Sequence, residues 1–177
     1  MSNYFPTNIY YMNTIQCNQK CTKCSHWKYL DKAPRLSTDK IVSALKSITS
    51  AKELCIVGGE PLLFKNEIYE ILQGISSTSI RTVIITNGTP MDKDFIHTVS
   101  QYNIHIVVSI DTMDREFWKF VRGTNSYDKV LQNFEYATTK LTPAEISIQS
   151  VLSKETEPHI ESVRQYAQRK NVYHSVQ

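Results

Sequence analysis

Short apolar segments alternate with longer amphipathic segments along most of the chain. The short segments are rich in β-branched and aromatic residues, which is typical of β-strands, and the longer ones repeat apolar residues at helical spacing. The pattern predicts strands at residues 8–15, 53–57, 82–85, 104–110 and 146–152. It predicts helices from Ser37 or Thr38 onward, at 66–75, at 92–102, over a long stretch interrupted at 122–125, and at 158–170.

This alternation predicts an α/β fold with a parallel sheet, because strands that alternate with helices are joined as repeated βαβ units. The nearly continuous apolar character of the strands predicts burial on both faces of the sheet. A barrel and a doubly wound sheet both fit the pattern. The last residues, 171–177, resemble the beginning of a sixth strand.

Polar motifs follow four of the predicted strands, where a parallel α/β fold collects its active-site residues. In chain order they are three cysteines after the first strand, Gly58-Gly59-Glu60 after the second, Thr86-Asn87-Gly88 after the third and Ser109-Ile110-Asp111 at the end of the fourth. The carboxyl ends of parallel strands share one edge of the sheet. We therefore expect the four motifs to converge on one site.

The cysteines carry the strongest chemical signal. Cys17, Cys21 and Cys24 follow the spacing C-x3-C-x2-C, one ligand short of the four that an ordinary iron–sulfur cluster takes. A cubane cluster held by three cysteines leaves one iron open to a small molecule. The alternatives are a closed Cys3His zinc site that uses His26, and unliganded thiols. Cys55 lies inside an apolar run and is expected to be a small buried hydrophobic residue.

Length and composition narrow the class of protein. The 177 residues suit a single domain, 41% of them are hydrophobic and 21% are charged, and the net charge is only +3. No basic footprint for nucleic acid stands out, and no apolar stretch reaches the length of a membrane span. The N-terminus lacks the features of a signal peptide, and clustered free cysteines fit a reducing compartment. We expect a cytoplasmic protein that contacts no membrane.

Two of the motifs have both a structural and a chemical interpretation. Gly58 and Gly59 permit a sharp turn and a close approach of the backbone to a ligand, with the Glu60 carboxylate facing a ligand ammonium group. Ser109 and Asp111 are two apart on a strand and point the same way. They suit a ribose diol, or Asp111 simply caps the next helix.

Asn87 and Arg122 also have both a structural and a chemical interpretation. Asn87 before Gly88 is a common turn pair as well as a candidate ligand contact. Arg122 presents a planar fork to a carboxylate, or it is a solvated charge at a helix end. His26 and the neighbouring Trp27 are placed to shield a cluster from solvent.

Taken together, these motifs resemble those of the radical S-adenosylmethionine superfamily over about residues 8–155. The cysteine spacing is that family's hallmark, and the Gly-Gly-Glu, Thr-Asn-Gly and Ser-Ile-Asp motifs follow in the family's order. The segment from Arg122-Gly123 to Val130 is similar to the branch that carries C-terminal auxiliary-cluster (SPASM or Twitch) domains.

The resemblance implies a partial, open (β/α) barrel of five to six units. Cys17, Cys21 and Cys24 would hold a 4Fe–4S cluster whose open iron is chelated by the amino and carboxylate groups of S-adenosylmethionine. The remaining cofactor contacts that it implies are Gly58, Gly59, Glu60, Asn87, Ser109, Asp111 and Arg122. An electron from a donor such as flavodoxin or ferredoxin would cleave S-adenosylmethionine, and the 5′-deoxyadenosyl radical would abstract hydrogen from a small-molecule, nucleotide or peptide substrate.

The sequence departs from the family pattern in three places. Lys23 precedes the third cysteine, where an aromatic residue or histidine is common, and Ser25 stands where an aromatic residue is frequent. The sequence also ends where a sixth strand should begin, and no auxiliary-cluster cysteines follow Cys55. We therefore expect residues 1–177 to be one radical S-adenosylmethionine core domain, short or truncated at its C-terminal end. A homodimer or a completing second chain would then cover the bare sheet edge, and a degenerate fragment without turnover is the alternative.

Overall fold

A computed structural model describes residues 5–29 and 35–177 of the chain. In this part of the chain, six strands alternate with six α-helices. The strands are β1 (Asn8–Thr14), β2 (Glu53–Gly58), β3 (Arg81–Thr86), β4 (Ile104–Ser109), β5 (Ile146–Ser150) and β6 (Tyr173–Val176). The helices are α1 (Thr38–Ser47), α2 (Lys65–Ile75), α3 (Lys93–Val99), α4 (Arg115–Arg122), α5 (Tyr127–Thr138) and α6 (Glu157–Arg169). Short 3-10 helices cover His26–Lys28 and Pro61–Phe64.

The order of the strands decides between the two folds that the sequence left open. The sheet runs β1-β2-β3-β4-β5-β6, and every neighbouring pair is parallel. A doubly wound sheet reverses its strand order at a switch point, whereas this order never reverses. The fold is therefore an open, partial (β/α) barrel, and the predicted α/β class is confirmed.

Burial alternates along β3 and β4, so the expectation that both faces are buried is wrong for these two strands. In β2 and β5, by contrast, three consecutive residues are buried. In β4, the buried residues Ile104, Ile106 and Val108 alternate with half-buried residues, and β3 shows the same alternation. The buried set belongs to one core cluster that includes Ile68, Phe95 and many other helix residues. The helices thus cover one face of the sheet, and the other face lines the inside of the open barrel.

Helix ends follow from local chemistry. Asp92 precedes α3 and Asp114 precedes α4, and each side chain accepts a hydrogen bond at 2.9 Å from the backbone amide three residues later. These bonds satisfy amides that lack a partner within the helix. Helix α3 ends at Val99, earlier than the predicted residue 102. Helix α4 is capped by Gly123, whose φ of +63° is the left-handed conformation that favours glycine.

The sixth strand is present. Residues of β6 pair with β5 from Ser147↔Tyr173 to Ser150↔Val176. The Gln177 amide then donates to Ser150 O at 3.0 Å, and Gln177 O accepts from the Leu152 amide at 2.7 Å. The last residues therefore complete a sixth strand, which removes the main reason for suspecting a degenerate barrel. The edges of the sheet are β1 and β6.

Candidate functional site

A cavity of about 270 Å³ opens at the carboxyl ends of β2, β3 and β4. The three clustered cysteines line it together with most of the residues singled out from the sequence, namely Gly58, Gly59, Asn87, Ser109, Asp111 and Arg122. Glu60 and His26 are not among its lining residues. The expected convergence of separated motifs is therefore found, with Glu60 as the exception among the candidate contacts.

The cysteine loop is fixed by the end of α4. The Lys20 amide donates to Arg122 O at 3.1 Å, and the Thr22 amide donates to Val121 O at 3.0 Å. These carbonyls belong to the last turn of the helix, where no intrahelical partner is left for them. A Cβ on Gly123 would lie 2.5 Å from Lys20 O, so only glycine permits this approach.

The glycines after β2 bring another backbone segment against the start of the same loop. The Gly59 amide donates to Thr14 O at 2.8 Å, and the Glu60 amide donates to Gln16 O at 2.7 Å. A Cβ on Gly59 would lie 2.1 Å from Gln16 O, which no side chain tolerates. Gly59 is therefore required by backbone packing beside the cysteine loop.

The Glu60 carboxylate is directed into the protein. It is completely buried, and it accepts hydrogen bonds from the Leu62 amide at 3.0 Å, the Thr86 hydroxyl at 2.7 Å and the Asn87 amide at 2.7 Å. Burial raises its pKa to about 7, and these three bonds and Arg122 oppose the shift. The carboxylate joins the ends of β2 and β3 behind the cavity wall, so it does not face the cavity as the sequence suggested.

Asp111 and Arg122 form a buried ion pair in the cavity wall. Their side chains are 6% and 8% exposed, and Arg122 Nη2 lies 2.9 Å from Asp111 Oδ2. Asp111 Oδ1 accepts from the Val151 amide at 2.8 Å. Within the described residues, the buried Nε of Arg122 has no hydrogen-bond partner. The solvated interpretation of Arg122 is therefore wrong.

The thiols of Cys17 and Cys21 lie in a partly desolvated setting. Burial raises the pKa of Cys17 and Cys21, while the Gln19 amide opposes the shift for Cys17 and Arg122 opposes it for Cys21. All four cysteines are free. A bound iron deprotonates a coordinating thiol outright, and sulfur is the donor that iron–sulfur clusters use. The donor set and the hydrogen-bonding Arg122 fit such a cluster.

The zinc alternative requires His26 beside the three cysteines. Among residues 5–29 and 35–177, no group of three His, Cys, Asp or Glu side chains is placed to hold one metal ion. His26 Nδ1 lies 3.4 Å from Gly58 O, and Trp27 Nε1 donates to Cys21 O at 3.2 Å. Both rings brace the loop from outside the cavity lining. Cys55 is buried as expected, with 6% of its surface exposed.

Asn87 and Ser109 occupy different walls of the cavity. Asn87 Nδ2 donates to Asn18 Oδ1 at 2.7 Å and lies 3.8 Å from Cys17 Sγ. Its Oδ1 accepts from the Thr89 amide at 2.9 Å. Asn87 therefore makes the expected turn and also contacts the cysteine loop. Ser109 is half-buried beside the cavity and pairs with Gln149 across β4 and β5.

Gln19 and Lys23 are among the lining residues that were not identified as contacts from the sequence. Gln19 is 1% exposed, and its Nε2 donates to Thr89 Oγ1 at 3.0 Å and to Ser126 Oγ at 3.1 Å. Lys23 reaches across to the segment after β5. Nothing in the sequence around Gln19 indicates partners so far away in the chain. Lys23 was recognised from the sequence only as a departure from the family pattern.

These features define an open α/β barrel whose cavity carries a three-cysteine site suited to an iron–sulfur cluster. The family model described as the radical SAM superfamily matches residues 14–167. The chain therefore belongs to the radical S-adenosylmethionine superfamily, whose members use a 4Fe–4S cluster and S-adenosylmethionine.

The chain is similar to curated proteins named as GTP 3′,8-cyclases. A probable GTP 3′,8-cyclase of Pyrococcus abyssi is 27% identical over 145 residues, which are 80% of this chain and 47% of the relative. A GTP 3′,8-cyclase of Mannheimia succiniciproducens is 30% identical over 164 residues, covering 85% of this chain and 47% of the relative. The chain thus spans about half the length of the curated relatives it matches.

Solved structures support the same fold. Streptococcus suis SuiB bound to S-adenosylmethionine matches with a TM-score of 0.84 and 20% identity, over 97% of this chain and 40% of SuiB. The anSMEcpe structure with bound AdoMet and Kp18Cys peptide matches with a TM-score of 0.75 and 20% identity, over 95% of this chain and 49% of that protein. In the described residues of our chain, none of the helices has the length and apolar character needed to cross a bilayer.

Proposed function

We propose that this chain is the catalytic core of a radical S-adenosylmethionine enzyme, with Cys17, Cys21 and Cys24 as the three ligands of a 4Fe–4S cluster. One observation carries the proposal. The three cysteines line the same cavity as the ends of β2, β3 and β4, while the fourth cysteine, Cys55, lies outside that lining. When bound, the cluster and S-adenosylmethionine would supply the reductive carbon–sulfur cleavage that initiates hydrogen abstraction from a substrate.

The chain's own residues bind and orient the cofactor in this proposal. The backbone of Gly58 and Gly59 offers a surface without side chains to the methionine amino group. Ser109 contacts the ribose, and the free Nε of Arg122 contacts the carboxylate. Asp111 holds the Arg122 guanidinium in place through the ion pair.

Two other candidate contacts act indirectly. Glu60 fixes the turn after β2 through its three hydrogen bonds, so its carboxylate supports the cofactor site from behind. Asn87 orients the loop beside Cys17 through Asn18. Both residues position the groups that touch the cofactor.

The substrate is a nucleotide or a peptide in this proposal, or another small molecule. GTP cyclases among the relatives and a peptide in the anSMEcpe structure support these classes. A reducing protein of the flavodoxin or ferredoxin type supplies the electron in the cytoplasm. In this proposal the chain forms one core domain over residues 1–177. A second copy or another chain pairs with an edge of the open sheet at β1 or β6.

Anaerobic reconstitution with iron and sulfide tests the proposal. We expect a 4Fe–4S cluster whose electron paramagnetic resonance signal changes on adding S-adenosylmethionine, followed by formation of 5′-deoxyadenosine. Cys17→Ala should lose the cluster, whereas Cys55→Ala, the matched control, should keep it. Stoichiometric zinc in place of a cluster would refute the proposal, and a cluster that ignores S-adenosylmethionine would favour the degenerate fragment.

A further inference from the structure

Lys23 joins the cysteine loop to the opposite wall of the cavity. It lies between Cys21 and Cys24 in the sequence and lines the same cavity. Its Nζ donates to Thr156 Oγ1 at 3.1 Å and, more weakly, to Val151 O at 3.4 Å. These acceptors belong to the segment between β5 and α6, so one side chain spans the mouth of the site and is held at both ends.

The surroundings of the ammonium group are short of negative charge. Both acceptors are neutral, and Thr156 is the buried N-cap residue of α6, where the helix dipole disfavours a cation. Among the described residues, Lys23 forms no salt bridge. Glu155 is near enough to sense its charge, but that side chain is solvent-exposed and bonded to Ser153. Asp111 also lines the cavity, but its carboxylate is paired with Arg122. The unpaired negative charge that the cavity would hold is the group that the cysteines bind.

We infer that Lys23 is a positioning residue that raises the reduction potential of the cluster, an inference that rests on the proposed function. Reduction adds one negative charge to a centre already held by three thiolates. A fixed cation in the cavity wall stabilises the reduced form more than the oxidised form, because Coulomb energy scales with the product of the charges. Net charge and hydrogen bonding around a cluster are established controls of its potential.

Two lysines in the same loop provide matched controls. Lys28 Nζ lies 5.5 Å from the centre of the Trp27 ring, and Lys20 Nζ lies 5.9 Å from it. Neither lysine lines the cavity. Lys20, Lys23 and Lys28 are all exposed, so removing any one of them changes the net charge of the loop by the same amount. Only the removal of Lys23 takes that charge from the cavity lining.

The test is a redox titration of reconstituted protein with dithionite and mediators, in which each cluster takes up one electron and is followed by electron paramagnetic resonance. Lys23→Met should titrate at a lower potential than the native protein. Lys23→Arg should keep the native potential, and Lys28→Met should shift it much less than Lys23→Met. Lys23→Gln, which retains a donor but no charge, should follow Lys23→Met.

The outcomes separate this inference from the proposed function. If the native protein binds a cluster that responds to S-adenosylmethionine, yet Lys23→Met and Lys23→Gln titrate at the native potential, the inference is wrong and the function stands. If Lys23→Met fails to take up a cluster, the inference is judged on Lys23→Gln alone: a lower potential than the native protein supports it, and the native potential refutes it. If the native protein binds no cluster, both the function and the inference are refuted.

Discussion

Two buried carboxylates stand at the ends of two of the motifs, Glu60 after β2 and Asp111 after β4. Glu60 accepts three hydrogen bonds, two of them from backbone amides, and has no ion-pair partner among the described residues. Asp111 accepts one backbone amide and pairs with Arg122 at 2.9 Å. Asp111 lines the cavity and Glu60 does not.

The difference separates two ways in which a motif supports a site. A carboxylate that accepts hydrogen bonds from backbone amides fixes the shape of a turn. Burying its charge costs free energy, because the charged group loses its hydration. A carboxylate paired with a buried guanidinium fixes the direction of that cation toward the cavity. Glu60 thus governs folding of the cavity wall, and Asp111 governs its electrostatics.

The largest expected effect comes from removing the Glu60 carboxylate. Glu60→Ala leaves two buried amides and one hydroxyl without acceptors, so we expect a loss of about 4 kcal/mol in the free energy of unfolding, or failure to fold. Urea denaturation of the apoprotein measures it. Glu70→Ala, an exposed residue on α2, is the control and should change stability by less than about 0.5 kcal/mol. Equal effects at the two positions would contradict the structural role.

Breaking the ion pair should cost somewhat less. Asp111→Asn leaves the Arg122 charge buried without a counter-ion, and we expect a loss of about 3 kcal/mol in unfolding free energy. The double variant Asp111→Asn/Arg122→Met removes both charges and should recover part of this loss. In the loaded protein, Asp111→Asn should also weaken binding of S-adenosylmethionine, measured by calorimetry. Unchanged affinity would show that Asp111 does not organise the ligand site.

Glu60 also predicts a pH dependence of stability. The folded-state pKa of Glu60 is raised from 4.5 to about 7, so between these values the native state holds a proton that the unfolded chain has released. The free energy of unfolding should therefore fall as the pH rises through this window. Glu60→Gln should remove this decline, and urea denaturation across the window compares the two proteins. A decline of the same size in Glu60→Gln would assign it to other groups.

Replacing Ser109 should have the smallest effect on stability, and its main effect should be on the binding of S-adenosylmethionine. Its side chain is half-buried at the cavity, so Ser109→Ala should change the unfolding free energy by less than about 0.5 kcal/mol. Loss of one hydrogen bond to the ribose should weaken S-adenosylmethionine binding by about tenfold. Ser43→Ala, at an exposed position of α1, should leave that affinity unchanged.

Periodicity and motif order were enough to predict much of the fold. Five strands and most helices were located from their apolar patterns, because each βαβ unit buries one stripe against its neighbours. The choice between a barrel and a doubly wound sheet depends on strand order, which local patterns do not encode. The alternating burial of β3 and β4 was missed because Val83, Ile85 and Val107 are apolar on the half-exposed inner face as well.

The sequence predicted most of the residues that line the site, but it did not predict the hydrogen bonds that those residues make. The cysteine spacing and the strand-end motifs named most of the residues that line the cavity. Whether a carboxylate faces the cavity depends on side-chain direction and on distant donors. Glu60 and its partner Asn87 are 27 residues apart, and Gln19 and Ser126 are 107 residues apart. A motif gives the type of a residue, and only three-dimensional contacts give its partners.

The attachment of the cysteine loop to the last turn of α4 has a consequence for biosynthesis. Thr22 and Val121 are 99 residues apart in sequence, and both ends of this contact must exist before the loop is held in place. While the ribosome is still producing the first half of the chain, the three thiols belong to an unsupported peptide. The contact thus sets an order of events, in which the polypeptide extends beyond α4 before its cysteines are arranged to receive iron and sulfide.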